Sequence, residues 1–271
     1  MADKIGMMDL KLKYAGLEEA RRTTGLRLIL GAYPVPGPWR EACKGIFYVK
    51  KISYMPVTAA GKDGSERELI DWTAQASAPV AIYNDERPRS TWIEQLFLAE
   101  RLAPEPRLIP ANADDRVLMF GYANEICGET GFGWSKRLLM VHATLTEPAA
   151  NEAAKRTWTH LGKKYGYSAE AAAGAKNRMI GILKMLDDRL ASQRAKGSRY
   201  FIGNQLSALD IYWATFAALL KPLPPDQCPM ATAFRSFYSE TDGEIIAALS
   251  EPLLEHRDFI YREHLELPVV F

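Results

Sequence analysis

The chain has 271 residues, 48% hydrophobic and 25% charged, enough apolar material for more than one domain with its own core. Thirty-four basic residues stand against thirty-three acidic ones, a formal charge of +1, so no net field draws the chain to nucleic acid or to a membrane surface. Cys43, Cys127 and Cys228 lie far apart and form no C-x-x-C pair, which points to reduced thiols and excludes a disulfide scaffold or a cysteine zinc site.

Residues 1–25 mix acids and bases and lack the apolar stretch of a signal peptide. No segment reaches the roughly 20 apolar residues of a membrane span. We expect a cytoplasmic protein with an N-terminal extension over 1–25. Leu26–Ala32 reads as a short buried strand. Pro34, Pro36, Gly37 and Pro38 then forbid regular structure, and Pro38 stands where proline opens a helix, predicted over Trp39–Lys51 from Ala42, Cys43, Ile46, Phe47 and Val49. A strand over Ile52–Val57, a short helix over Glu66–Thr73, a strand over Pro79–Tyr83 and an amphipathic helix over Ser90–Leu102 follow. A β-α-β opening implies parallel strands with a right-handed crossover.

Pro104, Pro106 and Pro110 mark a stiff linker over 104–113. Beyond it the pattern is helical: Asp114–Leu145, Asn151–Lys164, Ser168–Gln193, Ser207–Leu220 and shorter pieces to His264. Three glycines in Gly128–Gly133 should break the first of these. Ser207-x-x-Asp210 has capping-box spacing, so the carboxylate can reach back to the cap's amide, a structural role. The four histidines, His142, His160, His256 and His264, show no ligand spacing and no acidic partners that would suggest a metal, so no metal is expected. The predicted domains are therefore 26–103, α/β, and 114–271, all helical, with a ligand cleft between them.

Four features in this order form one pattern: Gly37-Pro38-Trp39 at the first helix, Ala78-Pro79-Val80 at the third strand, Arg89-Ser90 before a helix ending Leu98-Ala-Glu-Arg-Leu102, and Gly203-Asn-Gln-Leu-Ser-Ala-Leu-Asp210 before an apolar helix. Together they resemble the glutathione transferase superfamily over residues 26–264, as an atypical bacterial-type member. The resemblance implies a thioredoxin-like domain followed by an all-helical one, a homodimer, and glutathione as co-substrate. It implies that Pro79 is cis, that the backbone of Ala78 pairs with the cysteinyl part of glutathione beside Val80, and that Ser90 with its helix end holds the γ-glutamyl carboxylate. Arg89 stands where such proteins carry an acid; its charge could instead meet a carboxylate of the ligand.

The thiolate is the nucleophile in such chemistry and must be stabilised at neutral pH. At the family's Ser, Tyr or Cys position this chain has Gly37, or Val35 in a shifted alignment, and neither side chain can donate. Tyr33 and the backbone amides at Gly37 are the substitutes. Cys43 reads as core. Tyr122, Phe132 and Trp134, near Glu125 and Arg137, are the candidate wall for an acceptor substrate. The expected activity is conjugation of glutathione to a small apolar electrophile; the alternative is a binding protein of the same fold that lacks the thiol-activating group.

Overall fold

The computed structural model describes residues 12–32 and 34–271. It forms two compact units. One takes the chain up to Leu108 together with Pro222–Phe237 and Phe259–Phe271; the other takes Ile109–Lys221 and Tyr238–Asp258. The chain first passes from one to the other within the proline-rich 104–113 stretch. By this division 222–237 and 259–271 group with the first unit and not with the rest of 114–271.

In the first unit, α1 (Leu17–Arg22) precedes β1 (Leu26–Ile29), then come α2 (Pro38–Val49), β2 (Met55–Val57), α3 (Arg67–Thr73), β3 (Val80–Tyr83) and α4 (Trp92–Leu102). The sheet order is β2-β1-β3, with β2 parallel to β1 and β3 antiparallel to it. β1 ends sooner than the apolar pattern suggests because Gly31, at φ 72°, leaves the extended region. Arg89 adds a one-residue fourth strand: its N–H donates to the Ala81 carbonyl at 2.8 Å and its carbonyl accepts from Ala81 at 2.9 Å.

The described part of the N-terminal extension belongs to this unit. Ala15 bridges Val57 on the outer side of β2, donating to the Pro56 carbonyl at 2.9 Å and accepting from Thr58 N–H at 3.0 Å. Leu17 and Ala20 of α1 then bury themselves against Ile29, Val57, Leu69, Val80 and Ile82, the core of the sheet. Arg27, in the middle of fully buried β1, is accommodated because its guanidinium donates to the carbonyls of Ala20, Thr23 and Asn84.

The second unit contains α5 (Ala113–Cys127), α6 (Phe132–Thr146), α7 (Glu152–Lys164), α8 (Ala169–Ala195) and α9 (Ala208–Phe216), which runs on as a tighter turn over Ala217–Leu219. Asn112, Asn151 and Ser168 start α5, α7 and α8 by accepting amides of Asp115, Ala154 and Ala171. The glycine run separates α5 from α6. A Cβ on Gly131 would lie 2.7 Å from the Glu125 carbonyl oxygen, so only glycine fits this close reversal. Every residue of α9 is buried, and α5 packs against it while α6 packs on α7 and α8. Of the remaining helices, α10 (Thr232–Tyr238) falls mainly in the first unit, α11 (Gly243–Ala248) in the second, and α12 (Glu251–His264) begins in the second and ends in the first. Among the described residues no helix is long and apolar enough to cross a membrane.

Candidate functional site

The N-terminus of α2 is built as its residues dictate. Gly37 is the N-cap, at φ −75° and ψ 125°, and offers no side chain to the first turn; Pro38 follows at the first helical position. The positive end of the helix dipole therefore meets a residue with no side-chain donor or nucleophile. Tyr33, the other candidate for thiol activation, lies outside the described residues. On either side of it Arg40 Nη1 donates to the Gly31 carbonyl at 2.7 Å and Nη2 to the Val35 carbonyl. Cys43 is buried, and burial pushes its thiol far above the ordinary value, so it stays protonated and inert.

At the head of β3 the Ala78–Pro79 peptide is cis. Val80 is the first residue of β3 and pairs with Ile29 of β1. Ala78 packs its side chain on the sheet core, and its main chain makes no backbone hydrogen bond among the described residues. The buried amide of Gln95 in α4 donates to the Pro79 carbonyl at 3.0 Å and to the Arg89 carbonyl at 3.3 Å. One side chain thus ties the residue before β3 to the segment that leads into α4. Neither Gln95 nor Arg40 was singled out from the sequence, because the work of each is to hold backbone carbonyls distant in sequence.

The start of α4 differs from expectation. Ser90 precedes the cap, which is Thr91. The reason is spacing: Thr91 has Glu94 three residues on and completes a reciprocal capping box, whereas Ser90 has Ile93 there. Glu94 Oε2 accepts from Ser90 N–H and Thr91 N–H, each at 3.2 Å, and Oε1 accepts from Arg87 at 2.6 Å. Burial opposes ionisation of Glu94, but the Arg87 guanidinium, Thr91 and the Ser90 amide outweigh it and hold the carboxyl below its usual range. The amide expected to receive a ligand carboxylate thus already serves a carboxylate of the chain. Arg89 is likewise occupied: its guanidinium donates to Glu86 at 2.8 Å and to the Arg87 carbonyl.

In the second unit the three aromatic candidates do not form one wall. Phe132 is fully buried with its ring 5.9 Å from that of Trp213, edge on, and is core; the glycine break puts it at the first position of α6, facing α9. Trp134 is half-buried and donates its indole N–H to the Tyr165 carbonyl at 3.0 Å. Tyr122 is half-buried beneath the Arg189 guanidinium. Asp210 does reach back to Ser207, accepting its N–H and O–H at 2.8 Å each, and also accepts Phe201 N–H at 2.9 Å. His256 Nε2 lies 3.0 Å from Asp210 Oδ1, so this histidine has an acidic partner after all; the two are too far apart in sequence for a spacing argument to pair them.

No family model matches the chain, and no curated protein matches it by sequence. Solved structures do. A glutathione S-transferase domain-containing protein of Marinobacter aquaeolei VT8 superposes with a TM-score of 0.60 at 14% identity, over 90% of this chain and 100% of that one. The fold is that of the glutathione transferases. A glutathione S-transferase of Methylobacterium radiotolerans JCM 2831, solved with glutathione sulfonate, gives a TM-score of 0.58 at 16% identity, over 89% of this chain and 93% of the other. Rice GST1, solved with glutathione, gives 0.57 at 16% identity, over 91% and 93%. At these identities the glutathione transferase fold is shared and the side chains of the site are this chain's own.

Proposed function

We propose that the chain binds glutathione on its first unit and conjugates it to a small apolar electrophile. The observation that carries this reading is the edge beside Ala78, where Gln95 ties the Pro79 and Arg89 carbonyls together, in a glutathione transferase fold. The unpaired main chain of Ala78 supports strand-like pairing with a short peptide. Val80 backs that edge, and Ser90 contributes its hydroxyl, since its amide is shared with Glu94. Thiolate stabilisation falls to the Tyr33 hydroxyl or to the first-turn amides of α2 at Gly37. Tyr122 and Trp134 remain the candidates for contact with the second substrate.

A second reading has its own support. Gly37 offers no donor, and Glu94 and Glu86 engage the Ser90 amide and Arg89, which favours a binding protein without turnover. Retention on immobilised glutathione followed by an assay with an aryl halide separates the two. Retention with turnover supports the enzyme, retention without turnover supports the binder, and no retention discards glutathione. Tyr33→Phe then assigns the donor, an unchanged rate removing Tyr33 from the mechanism.

We infer a homodimer as well. α4 leaves Phe97 51% exposed, and α5 leaves Val117 and Leu118 72% and 40% exposed, large apolar side chains that a second copy would cover.

A further inference from the structure

Three consecutive charged positions on one face of α2, Arg40, Glu41 and Lys44, are almost completely buried, at 4%, 6% and 5% exposure. Charges buried this deeply persist only with partners. Glu41 takes one bond from each cation: Oε1 from Arg40 Nε at 3.3 Å and Oε2 from Lys44 Nζ at 2.7 Å. Both cations also donate to main-chain carbonyls, at the two ends of the row. Arg40 holds Gly31 and Val35, the loop beside the candidate ligand edge. Lys44 holds the carbonyl of Val270. That end is itself fixed, because Val269 is buried and its N–H donates to the Gln227 carbonyl at 2.7 Å.

We propose that residues 265–271 are a strap that sets the main chain at Gly31 and Val35 through the buried row Lys44–Glu41–Arg40, so that seating of the strap controls ligand affinity at the α2 end of the site. Lys44, Glu41 and Arg40 are positioning residues. The row is continuous: the ammonium of Lys44 needs Val270 as well as Glu41, and Glu41 shared between two cations orients the Arg40 fork on the loop. When the strap lifts, Lys44 gains water, its grip on Glu41 weakens, and Arg40 loses its fixed counter-charge. The inference rests on the glutathione reading only in naming the loop as the ligand's neighbour.

The test uses the full chain and amide hydrogen exchange. Lys44→Met should speed exchange at Gly31, Ala32, Val35 and Gly37 about tenfold while α8 in the other unit keeps its protection, and Lys44→Arg should restore the slow rate. Val269→Asp unseats the strap without touching α2 and should give the same local pattern, so it decides the matter if Lys44→Met does not fold. Unchanged exchange in the loop, acceleration spread equally over α8, or failure of Lys44→Arg to restore would each overturn the strap. Calorimetry with glutathione runs beside it, with an expected loss of about tenfold in affinity for Lys44→Met. If the unsubstituted protein binds no glutathione, the ligand reading falls while the exchange result still decides the strap.

Discussion

Gly37 has a backbone conformation that any L-residue adopts, and a Cβ there would stand 3.8 Å from Arg40 Cβ, an ordinary contact. Glycine is therefore not required by the fold at this point, and Gly37→Ser can be tolerated. We predict a change in stability of only a few tenths of a kcal/mol, since glycine and serine are close as N-caps. If the missing hydroxyl limits thiol ionisation, conjugation should rise about tenfold or more, in the range of a single oxyanion-type donor. The thiolate absorbance of bound glutathione checks it directly: no increase in the variant would place activation elsewhere. Glu94 makes a second residue-scale prediction. Its folded pKa is depressed, so the ionised form adds stability that is complete above the ordinary carboxylate range and disappears as pH falls through the lowered value. Glu94→Gln should therefore cost about 0.5–1 kcal/mol at neutral pH and nothing at the acidic end, in urea melts across pH. The same substitution loosens the hold on the Ser90 amide, so glutathione affinity should not fall with stability.

At the scale of elements, capping decides where helices begin, and Asp210 shows how far one cap can reach. Its carboxylate joins the start of α9, the main chain at Phe201 and His256 of α12, all of it buried. Asp210→Ala leaves several donors without a partner and should cost about 3–5 kcal/mol in chemical denaturation. A loss within surface-mutation range would contradict the hub. The caps were legible in the sequence where acid and hydroxyl stand three apart, as at Ser207 and Asp210. Thr91 has the same spacing to Glu94, but the family pattern points to Ser90 one residue before it. Phe132 was misplaced for a related reason: its aromatic character says that it is buried, not against what, and α9 supplies the partner only once α6 is packed. The α/β-then-helical order of elements followed from periodicity and proline placement. The return of 222–237 and 259–271 to the first unit did not, since tertiary contacts between distant segments leave no local period.

For the whole molecule, the assembly reading is open to a direct measurement. Phe97→Glu places a charge where a second copy would bury an apolar ring, and the sedimentation mass should drop from dimer to monomer with the far-ultraviolet spectrum unchanged. A monomeric unsubstituted protein would end the dimer reading at once. The first unit also assigns a structural task to the described part of the N-terminal extension. Because Ala15 lies alongside β2, that flank of the sheet is already sealed, and the main-chain groups there are not offered to other molecules. Removal of this segment would return the Pro56 carbonyl and the Thr58 amide to solvent and open that edge of β2 to pairing with another chain.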